Sequence, residues 1–168
     1  MPTMKPLKIC LAVSLASLSA TPLAAIREQP APRAVADVWQ PASTPPGGVS
    51  WATLEATREI TRNDAQGFIV SRPVFTQAVR RLEGQRITVA GYMDAFEPGQ
   101  QQRHFVLLGY PPGCPFHWHA APNQFIEIKA STPFPLNTQR RIVVSGVLEL
   151  TGEDESGIFY VLKNARPA

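Results

Sequence analysis

The chain has 168 residues, 44% of them hydrophobic and 17% charged, with a formal charge of +3 and two cysteines. That length suits one domain with a real core. The composition excludes a disordered polyelectrolyte, a collagen-like fibre and a scaffold stapled by several disulfides.

The chain opens with two lysines, Lys5 and Lys8, and no acid in its first 25 residues. Ile9 to Leu18 is a ten-residue apolar run, and small residues lead to Ala25. A basic start, a short apolar stretch and an Ala-rich exit read as a secretory signal peptide over residues 1–25. The run is too short to span a bilayer, which takes about 20 residues. Cys10 lies inside it after Lys8-Ile9, unlike a lipid-modified cysteine, so no transmembrane helix or lipid anchor is expected after cleavage. The expected location is the periplasm. The mature chain keeps 14 Lys and Arg against 13 acids, a charge of +1, and one cysteine, Cys114. That balance argues against nucleic acid as a partner.

Residues 26–49 are rich in Pro and Ala without an apolar period and read as a linker. A domain is expected over 50–168. Ser50 is placed to cap a short helix carrying Trp51 and Leu54 on one face. Phe68-Ile69-Val70 reads as a short extended piece, and Pro73 to Leu82 as a helix closed by Gly84.

Strand signals follow. Arg86 to Met93, Arg103 to Tyr110, Phe125 to Lys129, Arg141 to Leu150 and Ile158 to Leu162 read as five strands. Gly146 marks a bend or bulge inside the fourth. Gly152 to Gly157 is a hairpin loop. Five strands, with an insertion between the second and third, predict a mainly β fold. The reading is a small five-stranded OB-like Greek-key barrel with short N-terminal helices, with an antiparallel β-sandwich as the alternative.

The chemistry gathers in one stretch. All three histidines and the mature cysteine lie between His104 and His119, around Gly113-Cys114-Pro115-Phe116-His117-Trp118-His119. Thiolate and imidazole suit Zn²⁺, with Cu⁺ as the alternative. A turn at Pro115 can bring Cys114 and His117 to one ion. His117 and His119 share a side of an extended segment. Cys114, His117 and His119 are therefore candidate ligands, and His104, a water or a partner's side chain is a candidate fourth. Pro111-Pro112 and Pro122 stiffen the flanks. Cys114-Pro115 is also half of a thiol-redox motif, but no second mature cysteine can resolve a mixed disulfide. With no G-x-S-x-G, P-loop or dinucleotide fingerprint, no enzymatic activity is expected.

The ordered pattern is itself informative. Trp51 and Leu54 form W-x-x-L. Leu82, Gly84, Ile87, Val89, Gly91, Tyr92 and Met93 form L-x-G-x-x-I-x-V-x-G-Y-M. Phe105 to Leu108 is followed by a Cys114-containing loop ending Pro122-Asn123-Gln124, then by Val144, Gly146 and Leu148. Over about residues 50–165 this resembles an uncharacterised family of exported bacterial proteins of unknown function. Many members resemble lipoproteins, and many are encoded beside ABC-type permeases, some with metal-transport neighbours. The resemblance implies a periplasmic accessory role in metal handling, with ABC transporter components as partners and Cys114 as the best-matched position. The competing expectation is a metal-free periplasmic binding or interaction module of OB type.

Overall fold

The structure is a computed structural model, and it describes residues 40–113 and 120–168. Its elements, in chain order, are α1 (Trp51–Glu55), β1 (Arg58–Asn63), β2 (Ile69–Val74), α2 (Gln77–Arg80), β3 (Arg86–Ala95), β4 (Gln101–Leu108), a 3₁₀ turn (Pro122–Gln124), β5 (Phe125–Pro135), β6 (Ile142–Leu150) and β7 (Tyr160–Pro167). Among the described residues no helix is long and apolar enough to cross a membrane.

Strands β3 to β7 close into a barrel in the order β3-β4-β5-β7-β6, and β6 returns to pair with β3. The run β6-β3-β4-β5 is the spatial order of a Greek key, with the fourth strand beside the first. β7 then fits between β5 and β6, parallel to β5 and antiparallel to β6. The expected five-stranded Greek-key barrel is the fold. Closure of a single sheet excludes the two-sheet sandwich, because no open edge remains between β3 and β6.

Period-two alternation drives the closure. Ile87, Val89, Met93, Phe105, Leu107, Ile126, Ile128, Val144, Leu148 and Leu162 are buried together inside the barrel. Val106, Leu108 and Phe125 point the other way and form a smaller cluster with Tyr92, Ala120 and Ile158. Gly146 stands where the β6–β7 register shifts, between Ser145 and Val147. A Cβ there would lie 2.7 Å from Leu162 Cγ, so a larger residue would displace a core side chain.

The N-terminal elements seal one end. Ser50 accepts from Thr53 N and caps α1 as its sequence implies. Trp51 is buried, donates Nε1 to Ala90 O at 2.7 Å, and lies so close to Gly109 that a Cβ there would come within 2.7 Å of the indole. Residues 40–49, from the Pro-rich stretch, lie along the barrel. Ala42 is buried and donates to Gly109 O, Val49 donates to Thr88 O, and Arg141 donates to Ser43 O.

Two local readings change. The helix expected over Pro73 to Leu82 is only Gln77–Arg80, because Pro73 and Val74 end β2 and Thr76 supplies the cap. β1 lacks a counterpart in the sequence reading. Every residue of β1 is exposed, so its sequence carries no alternation imposed by burial. It pairs with β2 as a separate two-stranded sheet.

Candidate functional site

The insertion between β4 and β5 is rooted in the barrel. Gly109 N donates to Gln124 O at 2.9 Å, which ties the two ends of the excursion together. The returning end is a single 3₁₀ turn, and Gln124 Oε1 reaches back to Ala121 N. Asn123 anchors that turn to α1, donating Nδ2 to Glu55 O at 3.1 Å and to Thr57 O at 2.9 Å.

Beneath it lies Tyr160, fully buried at the start of β7. A carbonyl can only accept, so the Tyr160 hydroxyl donates to Leu54 O at 2.7 Å, and Thr57 Oγ1, also at 2.7 Å, donates to it in turn. Burial pushes the Tyr160 phenol up to about 12, with the Thr57 hydrogen bond partly opposing that shift. Tyr110, on the outgoing end, is also raised, first by burial and then by its hydrogen bond to the Glu55 carboxylate and by that group's charge. Glu55 Oε1 is buried with no hydrogen-bond partner among the described residues. An unpartnered buried carboxylate oxygen is costly and needs an explanation.

Both ends of the insertion therefore meet Glu55, Tyr110 at its carboxylate and Asn123 at its backbone carbonyl. Cys114, His117 and His119 belong to the part of this insertion that lies outside the described residues. Among the described residues no three of His, Cys, Asp and Glu gather closely enough to hold a metal. A centre of three such ligands would have to draw on residues outside the described ones, among which are Cys114, His117 and His119.

His104 stands elsewhere. It lies on β4 opposite Lys129, four residues before the strand ends, or about 13 Å along it. Its Nε2 is 2.6 Å from Glu127 Oε1, and its ring lies 4.8 Å from that of Phe96. The structure thus sets His104 on the barrel face and does not bring it to the root of the insertion.

Glu55 and Tyr110 escaped the sequence reading because they are 55 positions apart and neither sits in a motif. Asn123 and Gln124 were visible as part of the Pro-Asn-Gln close of the insertion, but without their roles.

Comparison with known proteins supplies a family. A crystal structure of a DUF3299 family protein from Pseudomonas aeruginosa PAO1 is similar to this chain at 15% identity and a TM-score of 0.40. The match covers 57% of this chain and 67% of that one. No protein with a curated description matches. A family model described as "Protein of unknown function (DUF3299)" matches residues 37–163, which takes in α1, the hairpin and nearly all of the barrel. The chain belongs to the DUF3299 family.

Proposed function

We propose that the protein is an exported accessory factor that binds one Zn²⁺ through Cys114, His117 and His119. The observation that carries this reading is the buried oxygen of Glu55, without a partner among the described residues, at the root of the insertion that holds those three residues. A cation above it would satisfy that oxygen. The donor set fits zinc: one thiolate, two imidazoles and one carboxylate can complete a tetrahedral site. A hard carboxylate oxygen favours Zn²⁺ over Cu⁺, which prefers soft ligands. His104 is the weaker fourth ligand, since Glu127 holds its Nε2 on the barrel face. The leader-like N-terminus supports export, and the family resemblance supports service to an ABC-type transporter.

The test is a zinc competition titration of the full, untagged chain against a chromophoric chelator. One zinc per chain is expected, with protons released as the thiol and imidazoles bind. Cys114→Ser and the His117→Ala/His119→Ala double variant should each lose affinity by about 100-fold or more, and Glu55→Gln by roughly 10-fold. Unchanged affinity in Cys114→Ser would overturn the assignment.

A further inference from the structure

Three pairings of the barrel lose register at one level. Gln102 pairs with Phe134 but His104 pairs with Lys129, so β5 swells opposite Arg103. Lys129 pairs with Lys163 but Ala130 pairs with Ala165, so the β5–β7 ladder skips Asn164. The β6–β7 shift at Gly146 lies beside the same residues. Asn164 has a φ of 51°, a left-handed conformation that Asn tolerates better than most residues. Bulges re-aim side chains and concentrate at barrel rims and beside binding sites.

The shifts frame an open hollow of about 490 Å³ lined by Arg103, His104, Lys129, Ser131, Lys163 and Asn164. β4, β5 and β7 each contribute one basic side chain to it. Arg103 Nη1 donates to Ser131 O at 2.7 Å, a neutral acceptor that orients the guanidinium without cancelling its charge. Lys129 lies 3.4 Å from Glu127, which also takes His104, and Lys163 lies 2.6 Å from Glu149. These two carboxylates break up the cationic run. A phosphodiester chain needs many uninterrupted contacts, so the field suits one compact anion instead. Phe96 lies against His104, one of the lining residues, and at 55% exposure it offers an apolar ring next to that side chain. β4 and β5 are the second and third strands of the barrel, the face on which barrels of this type bind oligosaccharides and oligonucleotides.

We propose that this hollow binds an acidic saccharide, with its carboxylate, phosphate or sulfate group held by Arg103, Lys129 and Lys163 and its ring lying on Phe96. The site does not rest on the zinc assignment: its anion-holding residues, Arg103, Lys129 and Lys163, are not zinc candidates, and His104 is common to both only as the weaker fourth ligand.

Amide chemical shifts of the full chain, followed at constant ionic strength, test it with five probes: glucuronate, glucose 6-phosphate, glucose, inorganic phosphate and a short single-stranded oligothymidylate. Glucuronate and glucose 6-phosphate should give saturable shifts at Arg103, Lys129, Ser131, Lys163 and Asn164, and also at Phe96 and His104. Phosphate should move the cationic set alone, and glucose none of it. Arg103→Gln and Lys163→Gln should each weaken the acidic sugars by about tenfold or more, with spectral dispersion retained. Phe96→Ser should weaken the sugars but not phosphate. Shifts that fail to saturate, or affinities unchanged in both charge variants, overturn the proposal. So does tighter binding of the oligothymidylate than of glucuronate, which would make the hollow part of a nucleic-acid groove.

Discussion

The barrel and the β1–β2 hairpin are both antiparallel ladders for most of their length, yet they end in opposite states. Inside the barrel Phe105, Leu107, Ile126, Ile128, Leu148 and Leu162 lose essentially all contact with water. Along β1 every residue is exposed, and at the hairpin tip Phe68 and Ile69 remain 70% and 76% exposed. Hydrogen bonding alone is not what separates them, since each is laddered to its neighbour. Closure is. A strand with neighbours on both sides and a filled interior gains hydrophobic free energy from alternate residues. A two-stranded ribbon has one face at most to bury, and on its own it is marginal in water. Here the hairpin is held by Pro73 and Ser71, which are buried, and by the ion pair of Arg62 with Glu155.

Mutations can sharpen or break this contrast. The largest effect is expected for Leu162→Ala, which should cost about 2–5 kcal/mol in chemical denaturation by opening a cavity in the barrel. Gly146→Ala should cost about 1–3 kcal/mol, because its new Cβ meets Leu162. In the double variant part of that second cost should vanish, and strict additivity would mean that the two residues do not press on each other.

Tyr160→Phe comes next. It removes one donor to Leu54 O, which keeps Thr57 N, and takes the acceptor from the buried Thr57 hydroxyl, at about 1–3 kcal/mol. The same hydroxyl predicts a pH dependence. Its folded value, about 12, lies above the ordinary 10.0, so the native state holds the proton more tightly than the unfolded chain. The stability from this group is complete below pH 10 and is lost as pH rises from 10 towards about 12. Alkaline denaturation should therefore flatten by roughly 2 kcal/mol across that window in Tyr160→Phe.

The smallest effects belong to the hairpin. Arg62→Ala should cost at most about 1 kcal/mol, since the ion pair is largely solvated. Ile60→Thr should stay within about 0.5 kcal/mol. A loss of several kcal/mol at Ile60 would show that another surface covers the hairpin in solution, and the contrast with the barrel would fail.

The same contrast governs what could be read in advance. Ile87 and Val89 announced β3 by their alternation, Gly146 announced a shift in register, and Ser50 announced a cap, because each signal sits within a few residues of its effect. Arg58–Asn63 stayed hidden because a strand that buries nothing has no reason to alternate. Pro73 to Leu82 looked helical because Val74, Ala78, Val79 and Leu82 recur at helical spacing. In the structure, however, Val74 belongs to the hairpin and helix forms only after Thr76. The candidate zinc ligands were legible as a cluster in one stretch of chain, whereas the Glu55 carboxylate at the root of the insertion was not.

By itself, then, the sequence determined five strands, a capped helix, a long insertion after the second barrel strand and the gathering of Cys114, His117 and His119 within it. Each is a matter of local spacing. The tertiary structure decided the parallel placement of β7 between β5 and β6. It set Glu55 and Tyr110 at the root of the insertion, and it drew Arg103, Lys129 and Lys163 into one hollow. These residues meet only because the sheet closes on itself, and closure depends on pairings between strands too far apart in sequence for any local pattern to encode.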